Sequence, residues 1–236
     1  MTGSAVVIGA SGGIGTALVR ALVADARYPA VHALSRRGDG GVDGAIPGTI
    51  DLTDEASIAA TFDRMAGDID LLLIASGILH DGARRPERSL RELDADWMAR
   101  NFAVNAIGPA LAIKHVAPRL PRDRRSVVAA LSARVGSISD NRIGGWYGYR
   151  ASKAALNMLV RSASIEIARS RPKALVVGLH PGTVDTALST PFQTGVPAGR
   201  LFTPERSVHA LLSVIDGLDV AANGHLFAWD GREIQP

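Results

Sequence analysis

A phenol and an amine lie four residues apart in Tyr149-Arg150-Ala151-Ser152-Lys153, the spacing that sets two side chains on one face of a helix. Free tyrosine loses its proton near pH ~10, too high for easy exchange at neutral pH. An ammonium held close favours the phenolate and lowers that value. The tyrosine then serves as general acid in one direction and general base in the other. With three tyrosines and only three lysines in the chain, such a pair arises by chance about once in twenty-five sequences of this make-up. The remaining cations are all arginine, so the lysine fits a need for a compact ammonium.

A second group of residues stands near the start of the chain. Gly9-Ala10-Ser11-Gly12-Gly13-Ile14-Gly15 follows the apolar run Ala5 to Ile8 and leads into a helix-period segment. Glycines there allow a tight turn and close approach of a pyrophosphate, and the helix N-terminus offers free N–H groups and a partial positive charge. Gly9, Ser11, Gly13, Ile14 and Gly15 are therefore candidates to face a dinucleotide. The next apolar run ends in Ser35-Arg36-Arg37. An acid there would accept from a ribose 2′-hydroxyl, whereas a guanidinium takes a phosphate in bidentate fashion. Ser35, Arg36 and Arg37 thus point to NADP(H) rather than NAD(H).

The spacing Gly9-x-x-x-Gly13-x-Gly15, with Tyr149 and Lys153, resembles the short-chain dehydrogenases/reductases, and the resemblance spans nearly the whole chain in the family's order. It implies that the three glycines line the cofactor diphosphate and that Tyr149 and Lys153 are catalytic, Lys153 also holding the nicotinamide ribose. It implies a proton-relay asparagine at Asn105, within Asn101 to Pro109. Asp51 and Leu52, of Asp51-Leu52-Thr53, stand where the family meets adenine, with Asp51 as an acceptor. Ile74-Ala75-Ser76-Gly77 stands where the family has Asn-Asn-Ala-Gly after the fourth strand, losing the asparagines and keeping the glycine that approaches the ribose. Pro181, Gly182, Val184 and Thr186, after His180, match the segment that meets the nicotinamide carboxamide.

One family position departs. Counting back from Gly136 puts Ala133 where a serine normally orients the substrate carbonyl. Ser132, which we favour, or Ser137 after a small shift supplies the hydroxyl on this reading. The stretch from Arg134 to Leu156 is similar to the C-factor and carbonyl-reductase branch of the family. The resemblance then implies an NADP(H)-dependent oxidoreductase moving a hydride between nicotinamide and a small carbonyl or alcohol substrate. A homo-oligomer, dimer or tetramer, is implied too. The alternative is a nucleotide-binding regulatory or signalling protein on the same scaffold, with little turnover.

Elements that would position these residues are legible from periodicity. Short apolar runs alternate with helical segments, the pattern of a doubly wound parallel sheet of about seven strands, a Rossmann fold with helices on both faces. Strands are expected at residues 5–8, 30–35, 46–52, 69–75, 126–132, 174–180 and 225–228, with residues 69–75 central. Helices are expected at residues 14–26, 55–66, 94–120, 147–170 and 203–216. The long segment 94–120 carries Gly108-Pro109, a pair expected to distort it on steric grounds, and Thr203-Pro204 reads as cap and first helical residue. One domain over residues 1–236 is expected, with residues 187–201 as a lid over the substrate. Trp97, Trp146, Tyr147 and Phe192 are candidates to line an apolar pocket.

Composition bounds the rest. The 236 residues contain no cysteine, which excludes disulfides, cysteine-ligated metals and a thiol nucleophile. The six histidines show no ligand spacing, so no metal site is expected. Net charge is only +3 and aromatics are 5%, arguing against nucleic-acid binding. The longest apolar stretch is about half a membrane span, and Met1 to Ser4 run into a strand with no basic-then-apolar leader. No membrane association and a cytoplasmic location are expected.

Overall fold

The computed structural model describes residues 2–39 and 41–236. Its sheet is built from β1 (Ser4–Ile8), β2 (Val31–Ser35), β3 (Ile46–Thr49), β4 (Ile69–Ile74), β5 (Ser126–Leu131), β6 (Ala174–His180) and β9 (Leu226–Ala228). All seven run parallel, in the order β3-β2-β1-β4-β5-β6-β9. Parallel strands need crossovers, and these are the helices α1 (Gly13–Asp25), α2 (Glu55–Asp63), α3 (Ala95–Phe102), α4 (Gly108–Val116), α5 (Tyr147–Ala168) and α6 (Pro204–Gly217).

Period-two alternation divides each strand between two cores. Val6 and Ile8 of β1, with Leu72 and Ile74 of β4, pack under Ile58, Phe62, Ile113, Leu156 and Val160 of α2, α4 and α5. Ala5 and Val7, with Leu71 and Leu73, pack under Leu18, Leu22, Val208, Leu211 and Ile215 of α1 and α6. Because both faces are covered, β4 is buried at every position. That includes Asp70, whose carboxylate accepts from Gly3 N–H at 2.8 Å and pairs with Arg124 at 2.9 Å.

Three elements differ from expectation. β3 stops at Thr49 rather than residue 52; it is an edge strand carrying Pro47, which cannot donate to a ladder. The segment expected as one helix over 94–120 is broken into α3, a π-helical turn at Ala103–Ile107, α4 and a short 3-10 turn at Ala117–Arg119. Pro109 has no N–H to give the preceding turn, and the ladder widens just before it. A pair unforeseen in the sequence, β7 (Thr183–Val184) and β8 (Leu201–Phe202), joins the two ends of the segment expected to be a lid.

Thr203 does cap α6, accepting from Arg206 N–H at 3.2 Å, with Pro204 at the first helical position. No helix among the described residues is long and apolar enough to cross a membrane.

Candidate active site

Strand order reverses between β1 and β4, so the loops leaving their C-terminal ends diverge and open a crevice. A cleft of about 520 Å³ lies there, lined by Gly9, Ser11 and Gly12 after β1 and by Ala75, Ser76 and Gly77 after β4. Ser35, Arg36, Asp51 and Leu52 line it as well. The glycine turn is as tight as its sequence suggests, since a Cβ on Gly15 would stand 2.0 Å from the Gly9 carbonyl oxygen. No side chain caps α1, and no acidic residue occupies its first turn. Its N-terminal N–H groups and partial positive charge therefore face the cleft without an internal anion. A Cβ on Gly13 would come within 2.7 Å of Thr186 Cγ2, which places the Pro181 to Thr186 segment against this turn.

Asn105 and Lys153 lie beside Gly77, which lines this cleft, and Tyr149 stands next to Lys153. Asn105 sits inside the π-helical turn, fully buried. Its Nδ2 donates to the Ile78 carbonyl at 2.9 Å and to Ser152 Oγ at 3.1 Å, and its Oδ1 accepts from Ile78 N–H at 2.8 Å. A Cβ on Gly77 would lie 3.4 Å from Asn105 Oδ1 and 3.6 Å from Lys153 Nζ, so both side chains reach to within contact distance of that glycine. Lys153 Nζ donates to the Leu131 carbonyl at 2.8 Å and stands 5.8 Å from the Tyr149 ring centroid.

Tyr149 is placed by the start of α5. Trp146 takes the left-handed conformation just before it (φ 52°), and the buried Glu87 carboxylate accepts from Gly148 N–H at 3.2 Å. The ring packs with Leu79 and Ala133, and Val135, Trp146, Leu188 and Phe192 close around them. Trp146 lies 6.3 Å from Tyr149 and 5.0 Å from Phe192, centroid to centroid. Leu188 and Phe192 both come from the segment between β7 and β8, so that segment packs against the tyrosine's cluster.

Electrostatics here differ from the expectation drawn from spacing. Burial pushes the Tyr149 phenol up to about 12 and the Lys153 ammonium down to about 8. Desolvation penalises the charged form of each, and outweighs the help that one would give the other. His180, at the end of β6, is pulled down to about 4 by burial, with the Arg134 guanidinium adding to it. Its Nδ1 has no hydrogen-bond partner among the described residues.

That histidine yields a stability prediction. The unfolded chain takes up a proton near pH ~6.5 that the folded chain refuses until about pH 4. Stability therefore falls as pH drops through this window. The loss is about 2 kcal/mol once discounted for the ring's partial contact with solvent. Urea midpoints of the protein and of His180→Gln should diverge between pH 6.5 and 4.5, the variant falling less; parallel curves would remove His180 as the cause.

The serines go elsewhere. Ser132 Oγ donates to Asn157 Oδ1 at 2.6 Å, and Ser137 Oγ lies 3.3 Å from Ser139 Oγ. Ala133, between them in sequence, packs against Tyr149. Of the four aromatic candidates, Trp146 and Phe192 stand against Tyr149, while Trp97 is buried under the Arg84 guanidinium at 6.0 Å.

Several participants escaped sequence reading. Arg100 of α3 lines the cleft with Arg36, and both guanidinium charges help hold the Asp51 carboxyl below its usual range, after the Thr53 hydrogen bonds that dominate. Ile78 brackets Asn105 through its backbone alone, which no side-chain pattern reveals. Asp39 turns back onto Ser35 and Arg37, joined to them at 2.7 Å each.

Fold and site together define a dinucleotide-binding protein of Rossmann type. The sequence pattern of the short chain dehydrogenases matches residues 4–196, and the chain belongs to that family. Over 147 residues it is 42% identical to the C-signal of Myxococcus xanthus, covering 62% of this chain and 82% of that protein. It is 30% identical over 190 residues to 1-hydroxy-2-glutathionyl-2-methyl-3-butene dehydrogenase of a Rhodococcus species, covering 79% and 78% of the two chains. The NADPH-bound carbonyl reductase from chicken fatty liver superposes with a TM-score of 0.86 at 25% identity, over 100% of this chain and 94% of that one.

Proposed function

We propose that this protein is an NADP(H)-dependent oxidoreductase acting on a small carbonyl or alcohol substrate. The observation that carries the reading is the approach of Asn105 and Lys153 to Gly77, with Tyr149 beside Lys153, next to a cleft lined by Gly77, the glycine turn and Arg36. The cradle fits a pyridine dinucleotide: an uncapped helix N-terminus for the pyrophosphate, Asp51 and Leu52 for adenine, Ser35, Arg36 and Arg37 for a 2′-phosphate. Pro181, Gly182, Val184 and Thr186 serve the carboxamide. When bound, the nicotinamide supplies or accepts the hydride.

The chain's own residues handle orientation and the proton. In reduction Tyr149 donates its phenolic proton to the substrate oxygen as negative charge develops there; in oxidation it takes the proton back. The Lys153 ammonium, drawn from the Leu131 carbonyl toward the reacting end, stabilises the phenolate. Asn105 holds the Ile78 backbone and the Ser152 hydroxyl, and with them the path by which the tyrosine is reprotonated. Trp146, Leu188 and Phe192 exclude water and offer an apolar face to the substrate. A homo-oligomer and a cytoplasmic location belong to the same reading.

A second reading has two observations in its favour. Ala133, at the position where the family pattern has a serine, packs against Tyr149, and removing one donor to a developing oxyanion costs about 10²–10³ in rate. One relative is named C-signal. On this reading the chain binds dinucleotide for regulation or signalling and turns over little. Purified protein given NADPH and a panel of aldehydes, ketones and diketones separates the two. The first predicts consumption of reduced cofactor with at least one carbonyl, faster with NADPH than with NADH. Binding without consumption across the panel supports the second.

A further inference from the structure

The structure places a carboxylate where the sequence shows none. Residues 35–37 contain no acid, yet Gly38 takes a left-handed turn (φ 71°) that brings Asp39 back over the end of β2. Asp39 Oδ1 accepts from Ser35 Oγ at 2.7 Å, its Oδ2 accepts from Arg37 Nε at 2.7 Å, and its N–H donates to Ser35 Oγ at 3.0 Å. Ser35 is 3% exposed and lines the cleft, so its hydroxyl is a fixed part of the wall. Arg36, the adjacent cation on that wall, makes no ion pair with Asp39.

We propose that Asp39 is a specificity-determining residue: its carboxylate occupies the anion seat formed by Ser35 and Arg37, competes with a ribose 2′-phosphate for those donors, and so restrains the preference for the phosphorylated dinucleotide. This rests on the reading that the cleft holds a pyridine dinucleotide. A carboxylate and a phosphate present the same feature to Ser35 and Arg37, two acceptor oxygens with negative charge. A phosphate arriving there must displace Asp39 from both donors or lie beside a like charge. The 2′-hydroxyl of NAD(H) carries no charge and meets no such repulsion. Arg36, left free of Asp39, is the cation that a 2′-phosphate gains without competition.

The test measures binding, not turnover. Dissociation constants are determined for NADPH and NADH, and for the bare probes adenosine 2′,5′-bisphosphate and adenosine 5′-monophosphate, which differ only in the 2′-phosphate. Asp39→Asn keeps the size of the side chain and an acceptor for Ser35, and Asp39→Ala removes both; thermal melts verify that each is folded. In both variants NADPH and the bisphosphate should bind about two- to fivefold tighter, the range of an exposed charge interaction, with NADH and the monophosphate nearly unmoved. Added salt should shrink the difference between variant and parent. Equal changes for both members of each pair, or weaker NADPH binding, overturn the proposal and leave Asp39 as a turn residue. If the parent protein binds none of the four, the proposed function falls with it; if it binds NADPH and the ratio stays fixed in the variants, only this inference falls.

Discussion

Tyr149→Phe should bind NADPH within about threefold of the parent and reduce carbonyls about 10²–10⁴ times more slowly, the span that a positioned general acid contributes. The substitution deletes one oxygen and nothing else. The ring keeps its contacts with Leu79 and Ala133 and its edge toward Trp146, so folding is not at stake. What disappears is the phenolic hydroxyl of the ring that stands beside Lys153. Single-turnover mixing of enzyme, NADPH and excess carbonyl reads the chemical step directly. A variant that retains a tenth or more of the parental rate constant would falsify Tyr149 as the proton donor.

The second large effect belongs to Lys153 and shows in the pH profile. Because burial pulls its ammonium down to about 8, the charge is present at neutral pH and is lost as pH rises through that value. Tyr149, raised to about 12, keeps its proton across the same range. The kcat/KM for reduction, which reports groups of the free enzyme, should therefore be level below about pH 7 and decline above about pH 8. Lys153→Met preserves the length of the side chain without the charge. It should lower kcat/KM by about 10² and abolish the decline. It also strips the Leu131 carbonyl of its donor at 2.8 Å, a structural loss with no pH dependence. Lys153→Arg restores a charge that does not titrate below pH ~12, so its profile should stay level through pH 9 whatever its absolute rate. An inflection near 8 that persists in both variants assigns the titration to another group.

Particular elements show where sequence reasoning succeeded and where it stopped. Strands such as residues 69–74 were legible because a strand buried on both faces must be apolar throughout. Tyr149 and Lys153 were legible because helical periodicity fixes relative direction four residues apart. The expectation of a lowered phenol pKa failed for a reason sequence does not carry. Desolvation depends on Leu79, Ala133, Trp146 and Phe192, four residues spread over 114 positions that meet only in the fold.

The break in the 94–120 segment is intermediate. Pro109 signalled a distortion, but not that the widened turn would hold Asn105. The segment from Ser189 to Leu201 read as a lid from its glycines and prolines. That Phe192 lands against Trp146 depends on β7 and β8 pairing, a contact between two dipeptides with almost no sequence signal.

By itself, the chain's order of residue types determined the alternation of strand and helix, the glycine turn before α1 and the helical pairing of phenol with amine. Each is a local matter: backbone sterics, hydrophobic period and the pitch of a helix act over a few residues. Tertiary structure alone decided that Ala133 packs against Tyr149 and that Ser132 donates to Asn157, that Arg100 joins Arg36 on the cleft lining, and that Asp39 folds back on Ser35 and Arg37. Those outcomes turn on where a side chain points once its neighbours are packed, and on charges brought together from distant segments or around a glycine turn. Linear spacing does not encode such directions, because rotation about a single backbone torsion redirects a side chain without changing its place in the sequence.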